Sequence, residues 1–465
     1  MDRKMRKTLS LAKLTVFLMA VGCMLASCSF EEPINANWPP HHPWENALQP
    51  SDSINVNLFL DASGSMRGFL AGGPDDRYLP VVEQLAGIAT TGGWKTSQVK
   101  WWKFGAHVTE IPAKDRVEVR DPKFYSESTT QIDEVFRASN IKDLTVVVTD
   151  LFQSRADVDL LSSRLNERYL AGMRLTGTAG SAPVTPAVAV LGIETRFIGK
   201  VFELGEEGGR ERSIIHNGTL PYYILVFGPL ADVGQFLKRI DERFHDLLPH
   251  TRRVLFAERP VETLATQVDH GSMQVGFSFE SNLMPRSSGG DKRVVQLQVP
   301  SLSGKKAEEA DVIEPLLDCN LIHSGLNLDE KSLRAEVKGE RPGANGSFEP
   351  DAGLAQALDV QSIKLEGNHL KLRLKLLRDQ LRTGRDYRFE VRVFPTENAF
   401  QVPQSVLAWS LASNEVDQLV ARQGFTPKGV GRTLNLAVFL QDLRDATFNG
   451  KQPPIGIVYF YVKAT

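Results

Sequence analysis

Five oxygen-bearing side chains stand at the ends of apolar runs in this chain. They are Asp61, Ser63 and Ser65 in NVNLFLDASGSMRGFL (55–70), Thr130 in TQIDEVF and Asp150 at the end of LTVVVTD. Carboxylate and hydroxyl oxygens are hard donors. An open octahedral set of them, with several waters retained, is what Mg2+ or Mn2+ accepts. The chemistry these residues offer is cation binding with an open position, and no nucleophile–base–acid set accompanies them.

Such residues act together only if the fold brings them together. From residue 54 the sequence alternates apolar strands with amphipathic helical stretches. The strands are INVNLFLD, QVKWWKFG, LTVVVTDL, VAVLGIET and YYILVFGP; the helices are YLPVVEQLAGIAT, TQIDEVFRAS, ADVDLLSSRLNERYLAG and ADVGQFLKRIDERFHDLL. Strand–helix alternation predicts a sheet covered on both faces, and continuous runs such as TVVVTDL suit parallel strands buried on both sides. Ligands of such sheets gather at the carboxyl ends of the strands. Asp61 and Asp150 close two of them, and Thr130 opens the helix one connection earlier.

DASGS resembles the D-x-S-x-S signature of von Willebrand factor A (vWA) domains, TQIDEVF resembles their T-x-L-x-x-A-L segment, and VVVTD resembles their strand ending in T-D. The resemblance spans about residues 53 to 250 and implies a Rossmann-like fold with a mostly parallel sheet and a metal-ion-dependent adhesion site. Carried over, Ser63 and Ser65 bind Mg2+ (or Mn2+) directly, Thr130 directly or through water, and Asp61 and Asp150 mainly through water. The sixth position is left to a partner, commonly a carboxylate of another protein. The spacing to Ile132 favours Thr130 over Thr129. Leu151 stands where the family usually has Gly, GFLAGGPDDRY lengthens the loop before the first helix, and RFIGKVFELGEEGGRERSIIHNGTLP inserts a hairpin before the last strand. An aspartic-protease turn needs Asp-Ser/Thr-Gly in succession, and an aspartyl-phosphate enzyme needs an acid where Ser63 stands. A plain alternative is that Asp61 and Ser65 only cap the loop.

The N-terminus reads as an export signal: basic MDRKMRK precedes LTVFLMAVGCMLAS, an uncharged run short for a membrane span. LASC resembles the lipobox of bacterial lipoproteins, which implies cleavage after residue 27 and a diacylglyceryl thioether on Cys28. Ser29 implies transport to the outer membrane, facing the periplasm or the surface. The mature chain would carry 49 Lys and Arg against 55 Asp and Glu, an acidic balance that excludes wholesale nucleic-acid binding. With Cys23 removed and Cys28 acylated, Cys319 alone remains, and no intrachain disulfide can form. Residues 28–52, with five prolines, read as a tether in which His41 and His42 are solvated. Cys319 and His323 have metal-ligand spacing without a second pair, so Cys319 reads as a buried structural thiol.

Past residue 250 the pattern changes to separated strands, RRVLFAER, MQVGFSFES, KRVVQLQVP, LRAEVKG, HLKLRLKLL and YRFEVRVFP, with turn-rich spacers. This predicts a sandwich-like β domain over 251–400, with Leu370, Leu372, Leu374 and Leu376 inward and Lys371, Arg373 and Lys375 on a solvated face. The helices NEVDQLVARQGF and TLNLAVFLQDLRDATF and the strand IGIVYFYVK (401–465) are expected to pack on that second domain. The expected function is a membrane-anchored lipoprotein that binds a protein partner through metal, without catalysis. The alternative is an exported hydrolase whose first domain recruits substrate and whose active site lies in 251–465, with His270, His323 and His369 as available bases.

Overall fold

The computed structural model describes residues 38–40, 48–151, 155–170, 185–203, 212–257, 267–268, 274–276, 293–299, 312–318, 328–329, 331–344, 347–366, 369–412, 432–447 and 452–464. Cys28, His41, His42, His270, Cys319 and His323, and the stretch read as the helix NEVDQLVARQGF, lie outside them.

A seven-stranded sheet organises the first half. Its strands are β1 (Ser53–Asp61), β2 (Thr96–Phe104), β3 (Val108–Ile111), β4 (Leu144–Thr149), β5 (Pro186–Glu203), β6 (Arg212–Pro229) and β7 (Thr251–Ala257), in the order β3-β2-β1-β4-β6-β5-β7. Alternation in β1 sends Val56, Leu58 and Leu60 to one core and Phe59 to the other. The first core is closed by helices α1 (Tyr78–Thr90) and α4 (Leu230–Arg243). In α1 the buried residues Tyr78, Val81, Val82, Leu85, Ile88 and Ala89 recur at helical spacing. Helices α2 (Ile132–Ala138) and α3 (Arg155–Arg164) lie on the other face, where Ile132, Val135, Phe136, Val158 and Leu161 join the second core. Two-sided burial accounts for the continuous apolar run of β4, all six residues of which are buried.

Three expectations need correction. The sheet is mixed: β2, β1 and β4 run parallel, but β6 is antiparallel to β4, and β5 to both β6 and β7. The reason is that β5 and β6 are 18-residue arms paired in register throughout their length, a hairpin whose second arm sits beside β4. The domain boundary also moves past 250. The described part of RRVLFAER, residues 252–257, lies in the edge strand β7 of the first sheet, with Val254 and Phe256 in one core and Leu255 and Ala257 in the other.

The third correction concerns the C-terminal helix, α5 (Leu436–Thr447), which packs on the first sheet rather than on the second domain. Its stripe Leu436, Phe439, Leu440 and Leu443 fills the same core as Phe59 and Val147, together with Val402, Val406 and Trp409. Trp409 is held between the Arg252 guanidinium, 4.4 Å from its ring, and Tyr223, 6.5 Å away. An amphipathic stripe states that a helix has an apolar partner and not which one. Residues 44–465 accordingly form one compact unit.

The second half is a sandwich of two sheets. Strands β8 (Gln267–Val268), β9 (Gln274–Gly276), β11 (Val312–Glu314), β12 (Leu316–Asp318), β15 (Leu358–Glu366) and β16 (His369–Leu376) form one sheet. Strands β10 (Val294–Val299), β13 (Leu333–Pro342), β14 (Phe348–Pro350), β17 (Arg385–Pro395) and β20 (Gly456–Ala464) form the other. Leu370, Leu372, Leu374 and Leu376 share its core with Phe389, Val391, Val458 and Phe460 from the facing sheet. The leucines therefore point inward as their alternation requires. Between α5 and its neighbours, β18 (Ser410–Leu411) pairs in parallel with β19 (Thr433–Leu434). Among the described residues, no helix is long and apolar enough to cross a membrane.

Candidate metal centre

Asp61 is the last residue of β1 and is 0% exposed. The backbone N–H of Ser63 donates to its Oδ1 at 2.8 Å, the local turn that an Asp followed by small residues forms readily. That turn is then tied to a distant segment. Glu127 N–H donates to Ala62 O and Gly64 N–H to Glu127 O, each at 3.0 Å, and Gln131 N–H donates to Gly105 O at 3.0 Å. These bonds fix residues 127–131 beside the DASGS turn and so deliver the third hydroxyl.

All five expected residues meet this edge of the sheet. Ser63 Oγ and Ser65 Oγ lie 3.0 Å apart, and Thr130 Oγ1 is 3.4 and 3.5 Å from the two carboxylate oxygens of Asp61. Thr129 is exposed, so Thr130 is the threonine turned to the site. Asp150 follows β4, is 8% exposed and raises the proton affinity of Asp61 through its charge. Burial is the larger cause; together they push the Asp61 carboxyl up to about 7, against hydrogen bonds from Thr149 and Ser63 that pull it down. Two carboxylates placed together out of water are costly unless a cation or proton joins them. Two acids with three hydroxyls, and no thiolate or imidazole, suit a hard divalent ion, which fits the group that the sequence implies.

One contributor went unread in the sequence. Thr149 Oγ1 donates to Asp61 Oδ2 at 2.7 Å and accepts from Leu151 N–H at 3.3 Å, so it orients the carboxylate and the chain after β4 together. The only signal was its position in T-D. Leu151 has φ of 52°, the left-handed region where Gly is the ordinary choice. The residue is 4% exposed in the second core, and that burial offsets a backbone strain of ~1–3 kcal/mol.

The inserted hairpin proves to be the extension of β5 and β6 beyond the sheet, and it rests on the turn that carries Ser65. Phe197 meets Phe69 edge-on with ring centres 4.9 Å apart, and Gly199 approaches Gly68 so closely that a Cβ on it would lie 2.8 Å from Gly68 Cα. Buried aromatic rings of Tyr78 and Tyr222 support Phe69 from below. A cavity of about 10 Å³ is left between Ser65 and Asp150 on one side and Phe197, Lys200, Val201, Leu220, Pro221, Arg432 and Thr433 on the other. A separate groove of about 290 Å³ runs from Thr130 along Asp133, Glu134, Arg137 and Leu160 between α2 and α3. Lys200 and Arg432 had no sequence signal, since nothing local connects them to Asp61. His369, the one described residue of the three histidines considered as bases, lies in β16 opposite Asp318 and Glu366.

Comparison of the chain with known protein families, with curated proteins and with solved structures finds no match.

Proposed function

We propose that the first domain is a vWA-type binding module in which Ser63, Ser65 and Thr130, with Asp61 and Asp150 acting largely through water, hold Mg2+ or Mn2+ and present it to an anionic oxygen of a partner. By the resemblance, that oxygen belongs to a carboxylate of another protein. The single observation that carries the reading is the fully buried Asp61 set beside Asp150 and three hydroxyl groups. A bound dication would supply an electrophilic position for one more oxygen. The chain's own groups orient it: Thr149 and the Ser63 N–H hold the Asp61 carboxylate, and the Glu127 backbone holds the serine turn. The role is binding, without catalysis. The lipobox-like LASC extends the proposal to an envelope lipoprotein attached through Cys28, with the partner met at the membrane surface.

The test is calorimetric titration of Mg2+ into wild type, Asp61→Ala and Ser63→Ala. The expected result is saturable binding by wild type that both substitutions abolish, with the fold retained by circular dichroism. No divalent-ion binding by wild type would end this reading. Membrane fractionation of wild type and Cys28→Ser tests the anchor separately: mature wild type should begin at Cys28 and sediment with membranes.

A further inference from the structure

The groove between α2 and α3 begins at Thr130, one of the three hydroxyls of the candidate metal centre, so a ligand held at that centre can continue into it. Its volume is about 290 Å³, against the ~10–15 Å³ that admits one water. Side chains fit there. Helix α2 turns Ile132, Val135 and Phe136 into the core, which leaves Asp133, Glu134 and Arg137 along the groove. Arg137 pairs with Glu134 and, at 3.4 Å, with Asp133, and the two acid side chains are only 29% and 17% exposed. Among the described residues no second cation lines the groove, so two carboxylates share one guanidinium and a negative charge is left in partial shelter from water. On the α3 side Leu160 is 45% exposed and offers an apolar surface.

We propose that this groove is the second half of the partner site and takes an extended protein segment whose acidic residue reaches the metal, whose apolar side chain covers Leu160 and whose Lys or Arg meets Asp133 and Glu134. The inference rests on the metal reading and names the chemistry of the partner. Geometry sets the spacing. Thr130 to Arg137 spans about 10 Å at the helical rise, and an extended chain advances about 3.3 Å per residue, so the basic residue stands about two to four positions from the acid. The two halves contribute differently. A carboxylate on the metal gives affinity to any acidic partner, whereas the groove chooses among them: a segment with a second acid in place of the basic residue meets repulsion from Asp133 and Glu134. Leu160 adds affinity through the apolar area it loses to water when the segment binds.

The experiment pans a phage-displayed random peptide library on the full chain, once in Mg2+ and once in chelator. Peptides enriched only in Mg2+ should carry an acid with an apolar residue and a Lys or Arg within about four positions of it. One such peptide, synthesised, should bind Leu160→Ser about tenfold and Glu134→Gln about threefold more weakly than wild type, while calorimetry finds the same Mg2+ affinity in all three proteins. Replacing the basic residue of the peptide with Ala should cost less affinity toward Glu134→Gln than toward wild type. Enriched peptides with an acid but no apolar or basic preference, no Mg2+-dependent enrichment on protein that binds Mg2+, or full affinity for both variants overturns the groove and leaves the metal site standing. Mg2+-driven self-association that Leu160→Ser prevents makes a second copy of the chain the occupant, and also overturns the proposal. Absence of Mg2+ binding by wild type removes the metal reading and this inference with it.

Discussion

Charged residues flank apolar strands at two places in this molecule, and the two places treat charge in opposite ways. On the sandwich, β16 turns Leu370, Leu372, Leu374 and Leu376 inward and leaves its cations outside. There Arg373 reaches Glu314 at 2.7 Å, and Lys371 lies 3.7 and 3.8 Å from Glu314 and Glu366. Such half-solvated pairs contribute ~0–1 kcal/mol each, because water already stabilises the separate ions. At the carboxyl edge of the first sheet, Asp61 is fully buried and shares its surroundings with Asp150, so its charge is disfavoured by the fold. The contrast separates charge that keeps a surface wet from charge that the chain holds at a cost. Only the second kind asks for a ligand.

The largest expected effect tests which region α5 belongs to. Leu440→Ala should destabilise by ~2–5 kcal/mol, as other buried leucine truncations do, and should lower the unfolding midpoint of the first sheet. Leu372→Ala should cost a similar amount within the sandwich core. Proteolysis with mass spectrometry would read the two regions apart. If Leu440→Ala loosens the sandwich and leaves the first sheet protected, the packing of α5 described above is wrong.

Next in size is the linkage of metal, pH and stability. Asp61 ionises near the usual carboxylate range when unfolded and near 7 when folded. The unfolded chain therefore binds fewer protons between those values, and the contribution of Asp61 to stability falls as pH rises through that window. A dication reverses the penalty by favouring the ionised carboxylate. Added Mg2+ should thus raise the melting temperature more at pH 8 than at pH 5, the gain at pH 8 being ~2.7 kcal/mol at a hundredfold excess over Kd. Asp61→Ala should show neither the metal effect nor its pH dependence. A Tm increment in wild type that is the same at both pH values would contradict the burial argument.

Smaller again is Thr149→Val, which keeps the shape and removes the 2.7 Å hydrogen bond to Asp61. A loss of ~1 kcal/mol is expected, together with a rise in the Asp61 pKa and weaker Mg2+ binding, both readable by titration. Arg373→Ala on the sandwich should change stability by less than ~1 kcal/mol and leave Mg2+ binding untouched. A larger effect there would mean that the outer strand face has a role beyond solvation.

Much of the local structure was legible. YLPVVEQLAGIAT coincides with α1, INVNLFLD lies within β1, and TVVVT belongs to β4, because period and burial are written into consecutive residues. The strands LDVQSIKLE (β15) and VTEI (β3) went unread; both mix polar and apolar residues on surfaces that the pairing partner, not the pattern, makes into strands.

By itself, the sequence determined the serine turn and its chemistry. Asp61, Ser63 and Ser65 lie within one turn, so their meeting needs no tertiary contact beyond the N–H of Ser63 folding back on Asp61. The periodicity of each helix and strand was likewise local. Tertiary structure decided the rest: that the second arm of the long hairpin sits beside β4, that β7 belongs to the first sheet, and that α5 covers the core around Phe59. It also brought Lys200 and Arg432 to the cavity beside Ser65. Sheet order and helix docking depend on which apolar faces fit one another across long stretches of chain. A stripe of leucines encodes the need for a partner surface, and only the packed fold selects it.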